Sequence, residues 1–442
     1  MPTTPRTTVR TTAPTAAPAT PAAPAAPATP AAPAAPATPA APAAPATPPT
    51  AQAPAALPLP ALLALATAVF VTALTETLPA GVLPAMSADL GVGQSAAGQA
   101  VTVYAVGTAL TAVPLTAATA GWGRRRLLLT AMVGFAAANT VTALSTSYPL
   151  TMAARFLAGV AAGLAWALLA GYARLLAPPE LQGRAIAVAM TGVPLALSLG
   201  VPAGTFLGSA LDWTVPFLLM TAIAVGVTGW IAAAVPEVPG RARGERTPVL
   251  RSLTVPGVTP VLAVTVVLVL AHTVLYTYIA PFLDRRGMGG ATDAVLLAFG
   301  AASLVSIWLT GAHIHRRSRA LTVGATLLIA AAAAVLGLAT GSTLAVYAAA
   351  ALWGLGWGGL PTLLQTAVGE AGGEQADAAQ TVLVTLWNAA MAGGGVAGGL
   401  LLDRLGAGSF PWVVLLLLLA VLAVVLGART HGFPARRSGP AA

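Results

Sequence analysis

Long apolar blocks recur from about Leu57 to Gly427, separated by short stretches that carry proline, glycine or arginine. Blocks of about 20 residues predict helices that cross a hydrocarbon layer, at about 1.5 Å of rise per residue. Twelve are expected, at roughly 59–85, 97–119, 126–145, 149–172, 184–209, 214–235, 257–282, 291–313, 320–340, 343–366, 375–401 and 410–428. One polar position interrupts the first of them from within. In TALTETLPAG, residues 72–81, Glu76 is the only charge, and the nearest charge on either side lies more than ten residues away.

Composition narrows the class. Mean hydropathy is +0.84, 57% of residues are hydrophobic and 7% are charged, where a soluble domain carries about 25%. So few charges cannot cover a soluble surface, and the expected fold class is an all-α polytopic membrane protein. There is no cysteine, which excludes disulfides and thiolate metal sites. The net charge of +9 would suit nucleic acid, but the arginines cluster in short loops between spans, where they orient a membrane protein. With the N-terminus inside, the inside segments hold Arg6, Arg10, Arg124, Arg125, Arg126, Arg174, Arg184, Arg241, Arg243, Arg246, Arg251, Arg316, Arg317, Arg319, Arg429, Arg436 and Arg437. The outside loops hold Arg285, Arg286 and Arg404. That bias places both termini in the cytoplasm and requires an even number of spans. The expected setting is a bacterial inner or plasma membrane, with the lipid bilayer as partner and no nucleic acid. All basic residues are arginine, which fits coding bias, and without lysine no Gly-x-x-x-x-Gly-Lys nucleotide loop exists.

Residues 1–56 are a different polymer. ATPAAPAAP repeats with a nine-residue period marked by Thr20, Thr29, Thr38 and Thr47. Proline and alanine without large apolar residues form no core, so an extended or disordered tail is expected rather than a signal peptide. An inert extension, or a start codon placed too early, is the simpler reading than a docking arm. Beyond the tail the chain repeats weakly: GVPAG at 200–204 returns as GVAGG at 395–399, GRR at 123–125 as HRR at 315–317, and VLPAM at 82–86 faces IAPFL at 279–283. One near-constant shift divides the chain into six helices over 57–235, a polar linker over 236–256, six helices over 257–428, and a tail over 429–442. Two parallel repeats around a central cavity are a transporter design.

TETLPAGVLPAMSADLG, GRRRLLL, RFLAGVAAG, GVPAGTFLG, YTYIAPFL and LWGLGWGGLPTLLQTA together resemble the major facilitator superfamily, in particular its twelve-span bacterial drug- and sugar-efflux antiporters. The resemblance covers about 57–428. It implies two pseudo-symmetric six-helix bundles, alternating access, and export driven by the proton gradient without a cofactor. The family's inner-loop signature Gly-x-x-x-Asp-Arg-x-Gly-Arg-Arg is incomplete here. Thr116, Ala120 and Gly121 replace its Gly, Asp and Arg, while Gly123, Arg124 and Arg125 remain. In the second half the Asp position is His315. Packing or helix-end contacts are expected to do the work of the acidic latch.

Of the twelve acidic residues, Glu76 alone falls well inside a span, about 12 Å below an end set at Pro84. An acid at a span centre costs about 2.5–3.5 kcal/mol, and away from water it can hold a proton. It is the expected proton-coupling group; the alternative is a structural carboxylate, or one in a wet vestibule without coupling. Arg155, on the fourth span at a similar depth, is its expected counterpart, and in the resembling family an arginine here assists proton exchange; the alternative is snorkelling to headgroups. Tyr104, Asn139, His272, Tyr276, Trp357, Gln365 and Asn388 are candidate cavity residues, with Tyr278 and Trp353 beside them, and any one of them could equally pack between helices. Gly192, Gly200, Pro202 and Gly204 on the fifth span, and Gly395 and Gly399 on the eleventh, allow close packing and bending. The resemblance places such helices where the halves meet. His313 and His315 sit at i, i+2 beside Arg316 and Arg317, without a carboxylate, so no metal site is expected.

These readings converge on a secondary transporter exporting small amphipathic molecules, such as drugs, in exchange for protons, and acting as a monomer. A sugar or metabolite exporter of the same fold is the near alternative. A polytopic membrane enzyme would need a nucleophile–base or metal cluster that the chain lacks. A sensor or scaffold would carry a folded appendage.

Overall fold

The computed structural model describes residues 57–119, 121–239, 249–338, 341–428 and 431–433. The repeat-bearing tail, most of the C-terminal tail and the centre of the linker, with Arg241, Arg243 and Arg246, lie outside these residues. The first six long helices are α1 (Leu59–Asp89), α2 (Gln94–Ala118), α3 (Arg124–Leu144), α4 (Tyr148–Leu175), α5 (Pro179–Ala210) and α6 (Thr214–Ala234). The second six are α7 (Val258–Thr277, resumed as Ile279–Asp284), α8 (Gly289–Ile314), α9 (Arg316–Leu338), α10 (Thr343–Trp357, resumed as Leu360–Gly372), α11 (Ala376–Leu405) and α12 (Phe410–Gly427). The all-α polytopic architecture and the twelve crossings are those the apolar blocks predict. Ends differ by a few residues. The largest difference is in α1, which continues through Pro79 and Pro84 to Asp89. Proline removes one backbone bond without ending a helix whose neighbours hold it, and Glu76 therefore lies about 20 Å from the helix end.

Outward-facing side chains are themselves apolar. Leu157 on α4, Trp308 on α8, Leu344 on α10 and Leu416 on α12 are all exposed, as lipid-facing positions should be. Polar atoms turn inward or back onto their own helix: the hydroxyls of Thr72, Thr142, Thr265 and Thr326 each donate to the carbonyl four residues earlier. α5 is the least regular helix. Between Pro194 and Pro202 its residues Ala196–Gly200 wind as a π-helix, with the Ser198 hydroxyl donating to the Pro194 carbonyl at 2.6 Å. Two prolines without N–H groups leave that stretch free to rewind.

Contacts repeat at a fixed interval. Thr108 Oγ1 donates to the carbonyls of Tyr104 and Gly159, joining α2 to α4. Ser303 Oγ donates to those of Phe299 and Gly354, joining α8 to α10, and each residue of this set stands 195 positions after its counterpart. A second pair closes each set of six at the other end of the helices. Arg125 in the first turn of α3 donates to the Ala232 and Val235 carbonyls at the end of α6, at 3.4 and 3.5 Å. Arg319 in α9 donates to the Leu426 and Phe433 carbonyls at α12, at 3.2 and 2.7 Å.

Apolar side chains form two clusters. One lies within α1–α6 toward the end that carries Arg124; the other runs through α7–α12 and takes in α1 from Ala73 to Leu90. The first six helices thus meet the second six mainly toward the end carrying Asp89, through α2 on α11, α5 on α8, and α1 on Ile279–Asp284.

Candidate functional site

Four helices converge on Glu76. Its side chain is half-buried while Thr75 and Leu78 beside it are fully buried, and Trp166 of α4 directs its indole N–H at the carboxylate. Arg155 of α4, Tyr104 of α2 and Tyr276 of α7 lie around it within electrostatic range. Glu76 therefore faces an internal space and not lipid.

Arg155 does not snorkel. Its side chain is 0% exposed, Nη2 donates to the Thr75 carbonyl at 2.6 Å, Nε to the Ala100 carbonyl at 3.4 Å, and its guanidinium lies 5.0 Å from the centre of the Tyr104 ring. Nη1 is buried without a partner. Glu76 and Arg155 are neighbours without a contact ion pair, unlike Arg125 and Glu237. A carboxyl near a cation but not locked to it can still exchange its partner, which a tight pair would prevent. Tyr104 is buried and donates to the Thr72 carbonyl at 3.2 Å. Asn139 of α3 donates to Thr75 Oγ1 at 3.1 Å, while its Oδ1 is buried without a partner. Three predicted polar residues thus hold the α1 turn that carries Glu76.

Across the space α7, α8, α10 and α11 present rings. The His272 imidazole lies on Trp357 with centroids 3.5 Å apart and planes 2° from parallel. Its Nδ1 accepts from the Trp353 indole at 3.2 Å, and Tyr276, Phe299 and Trp353 complete the group within 6.0 Å of it. Trp387 of α11 stands 5.9 Å from Trp357. The Tyr276 hydroxyl is buried, with Thr77 of α1 as its neighbouring polar side chain.

The remaining predicted residues make other contacts. Gln365 is exposed, and its carbonyl accepts from Gln380 near the end of Leu360–Gly372. Asn388 bonds the Val384 carbonyl of its own helix. Gly192, Gly200 and Gly204 face α1, whose Ala66, Phe70 and Leu78 a Cβ would strike, and Pro202 is buried in the same helix; the α5–α8 approach is made instead by Gly300 against Ser198. Gly395 and Gly399 meet α2 at Thr102 and Gln99. Gly123 caps α3 where Glu237 approaches: Glu237 Oε1 accepts from the Arg125 N–H at 3.2 Å, its Oε2 pairs with Arg125 Nε at 3.5 Å, and the Arg124 N–H donates to the Val238 carbonyl at 2.9 Å. An acid from the start of the linker thus stands at the loop whose signature Asp is missing. His313 bonds the Leu309 carbonyl, and no cluster of three or more metal-binding groups occurs among the described residues.

Trp166, Phe299 and Trp387 escape linear reading. Trp166 stands 11 residues after Arg155, three helical turns, a spacing that puts both on one face of α4 and could have flagged it. Phe299 and Trp387 carry no signal apart from being aromatic. Tyr278, expected beside the cavity residues, instead sits where α7 breaks, fully buried between α2 and α11: its hydroxyl donates to the Gly395 carbonyl at 2.9 Å, and Gln99 donates to it at 3.2 Å. With Ser95 donating to Asp403 at 2.8 Å, this seals the Asp89 end.

Residues 65–394 match the family described as Major Facilitator Superfamily. A chloramphenicol efflux pump of Mycobacterium tuberculosis is 34% identical over 359 residues, which is 77% of this chain and 85% of that protein. The purine ribonucleoside efflux pump NepI of Escherichia coli K12 is 28% identical over 335 residues, 75% of this chain and 85% of the pump. The crystal structure of the human organic anion transporter MFSD10 (TETRAN) shares the fold, with a TM-score of 0.63 at 18% identity over 84% of this chain and 98% of that one.

Proposed function

Because the chain belongs to the major facilitator superfamily, we propose that it exports small amphipathic molecules from the bacterial cytoplasm in exchange for protons, by alternating access of two six-helix halves. One observation carries the coupling: Glu76, an acid placed mid-span, borders an internal space beside Arg155 without being locked to it. A carboxylate taken out of water must be neutralised, by a proton or by a nearby cation, and the two compete. In the cycle, Glu76 takes a proton from outside, the halves rock, the proton leaves inside as cargo binds, and the loaded protein returns. On the reading that both termini are cytoplasmic, the Asp89 end, where Tyr278, Gln99, Ser95 and Asp403 tie the halves together, is the outer one.

The relatives named for chloramphenicol and for purine ribonucleoside efflux support export as the direction and small organic molecules as cargo. The second name keeps metabolite export open as the alternative to drug export. Everted vesicles test the coupling. Glu76→Gln is expected to abolish accumulation of chloramphenicol or a purine nucleoside driven by a pH gradient, while binding to the purified protein persists. Normal rates in that variant would remove Glu76 from the coupling role.

A further inference from the structure

The 195-residue correspondence aligns α2 and α4 with α8 and α10, and at matching positions the chemistry differs. Where α4 carries Arg155, α10 carries Ala350; where α10 carries Trp353 and Trp357, α4 carries Ala158 and Ala162. Tyr104, which faces the guanidinium, corresponds to Phe299, which lies 4.7 Å from the Trp353 ring. One wall of the space is built for charge, and the other for flat rings.

Within the ring wall His272 is unlike its neighbours. It is part-exposed where Trp353, Phe299 and Tyr276 are buried, and it lies flat on Trp357 at stacking distance. The indole of Trp353 can only donate, so the Nδ1 that accepts from it is unprotonated and the ring's hydrogen is on Nε2. His272 thus enters the space as a small planar group with a donor edge. Beside it lies the buried Tyr276 hydroxyl, which can bond an incoming group as well as its neighbour Thr77.

We propose that the Trp357 face now covered by His272 is the ring slot of the cargo site, taking a neutral planar aromatic or heteroaromatic group with a hydrogen-bonding edge. The imidazole moves aside, the incoming ring stacks on Trp357, and its edge is bonded by the His272 Nε2–H and the Tyr276 hydroxyl. Neutral cargo is favoured because the slot itself is walled by Trp357, Trp353 and Phe299, with Glu76 approaching the cluster at Tyr276. The proposal rests on the export reading for its purpose, but not for its test.

The full chain, purified in detergent, is titrated with nitrobenzyl alcohol, with a tetraalkylammonium ion and with a polyol of similar size, following tryptophan fluorescence. Saturable quenching by the nitroaromatic alone is expected. Trp357→Phe keeps the stack and binds nearly as wild type; Trp357→Leu weakens binding about tenfold, the worth of one stacked pair. Should Trp357→Leu fail to fold, His272→Phe, which fills the slot with a ring lacking a donor edge, is expected to weaken binding to a similar degree. Unsaturable quenching, equal binding of the cation or the polyol, or unchanged affinity in the folded variant would overturn the slot. Vesicle transport separates the two ideas: binding without transport keeps the slot and removes the export reading, whereas transport indifferent to Trp357→Leu does the reverse.

Discussion

At Arg155 a guanidinium sits fully buried, held by two backbone carbonyls and a tyrosine face, with one nitrogen unpartnered. Two carbonyls on different helices need a forked donor, and the planar guanidinium supplies one where an ammonium is a point charge. Arg155→Lys is therefore expected to lose either the Thr75 or the Ala100 bond and to slow pH-driven transport about tenfold. The thermal midpoint should also fall, because one buried carbonyl loses its donor. Transport at the normal rate would show that the fork is not needed. At this scale sequence reading finds the ionisable residues because charge inside an apolar block is rare. It does not find Trp166, whose indole is one more apolar-looking residue until α1 and α4 are brought together.

Among the helices, close approach is set by glycines that face backbone. A Cβ on Gly159 would lie 2.1 Å from the Tyr104 carbonyl oxygen, and one on Gly354 the same distance from that of Phe299, while Gly226 on α6 faces open space. Backbone cannot step aside as a side-chain tip can, so Gly354→Ala must separate α8 from α10. An overpacked contact costs about 1–3 kcal/mol. Gly354→Ala is expected to lower the melting temperature of the purified protein and Gly226→Ala to leave it unchanged; equal midpoints would refute the packing argument. Glycine-rich α5 shows the limit of the pattern. Its glycines are legible as a close-packing face, but whether that face meets α1 or α8 depends on how the helix is rotated, and the structure turns it to α1.

For the whole molecule, on the proposed alternating-access reading, the joint between the two sets of six helices governs access. It is sealed at the Asp89 end by Tyr278, Gln99, Ser95 and Asp403, and alternating access requires that seal to break. The natural absence of cysteine makes this measurable. In a Thr102→Cys chain, whose new thiol would lie against Gly395 under the seal, an impermeant maleimide added outside cells should react slowly. Adding Tyr278→Phe, which deletes the hydroxyl bonds to Gly395 and Ser95, should raise that rate several-fold; an unchanged rate would mean the seal is held elsewhere. The twelve helices follow from the sequence alone, because crossing a bilayer demands about 20 apolar residues each time. So does the isolation of Glu76 and Arg155, because charge in such a block is costly enough to stand out. The tertiary structure decided which side chains share a space: Trp166 with Glu76, His272 with Trp357, Glu237 with Arg125, Tyr278 between α2 and α11. Those pairs join residues up to 183 positions apart, and helix rotation and register, which no local pattern encodes, determine whether they meet.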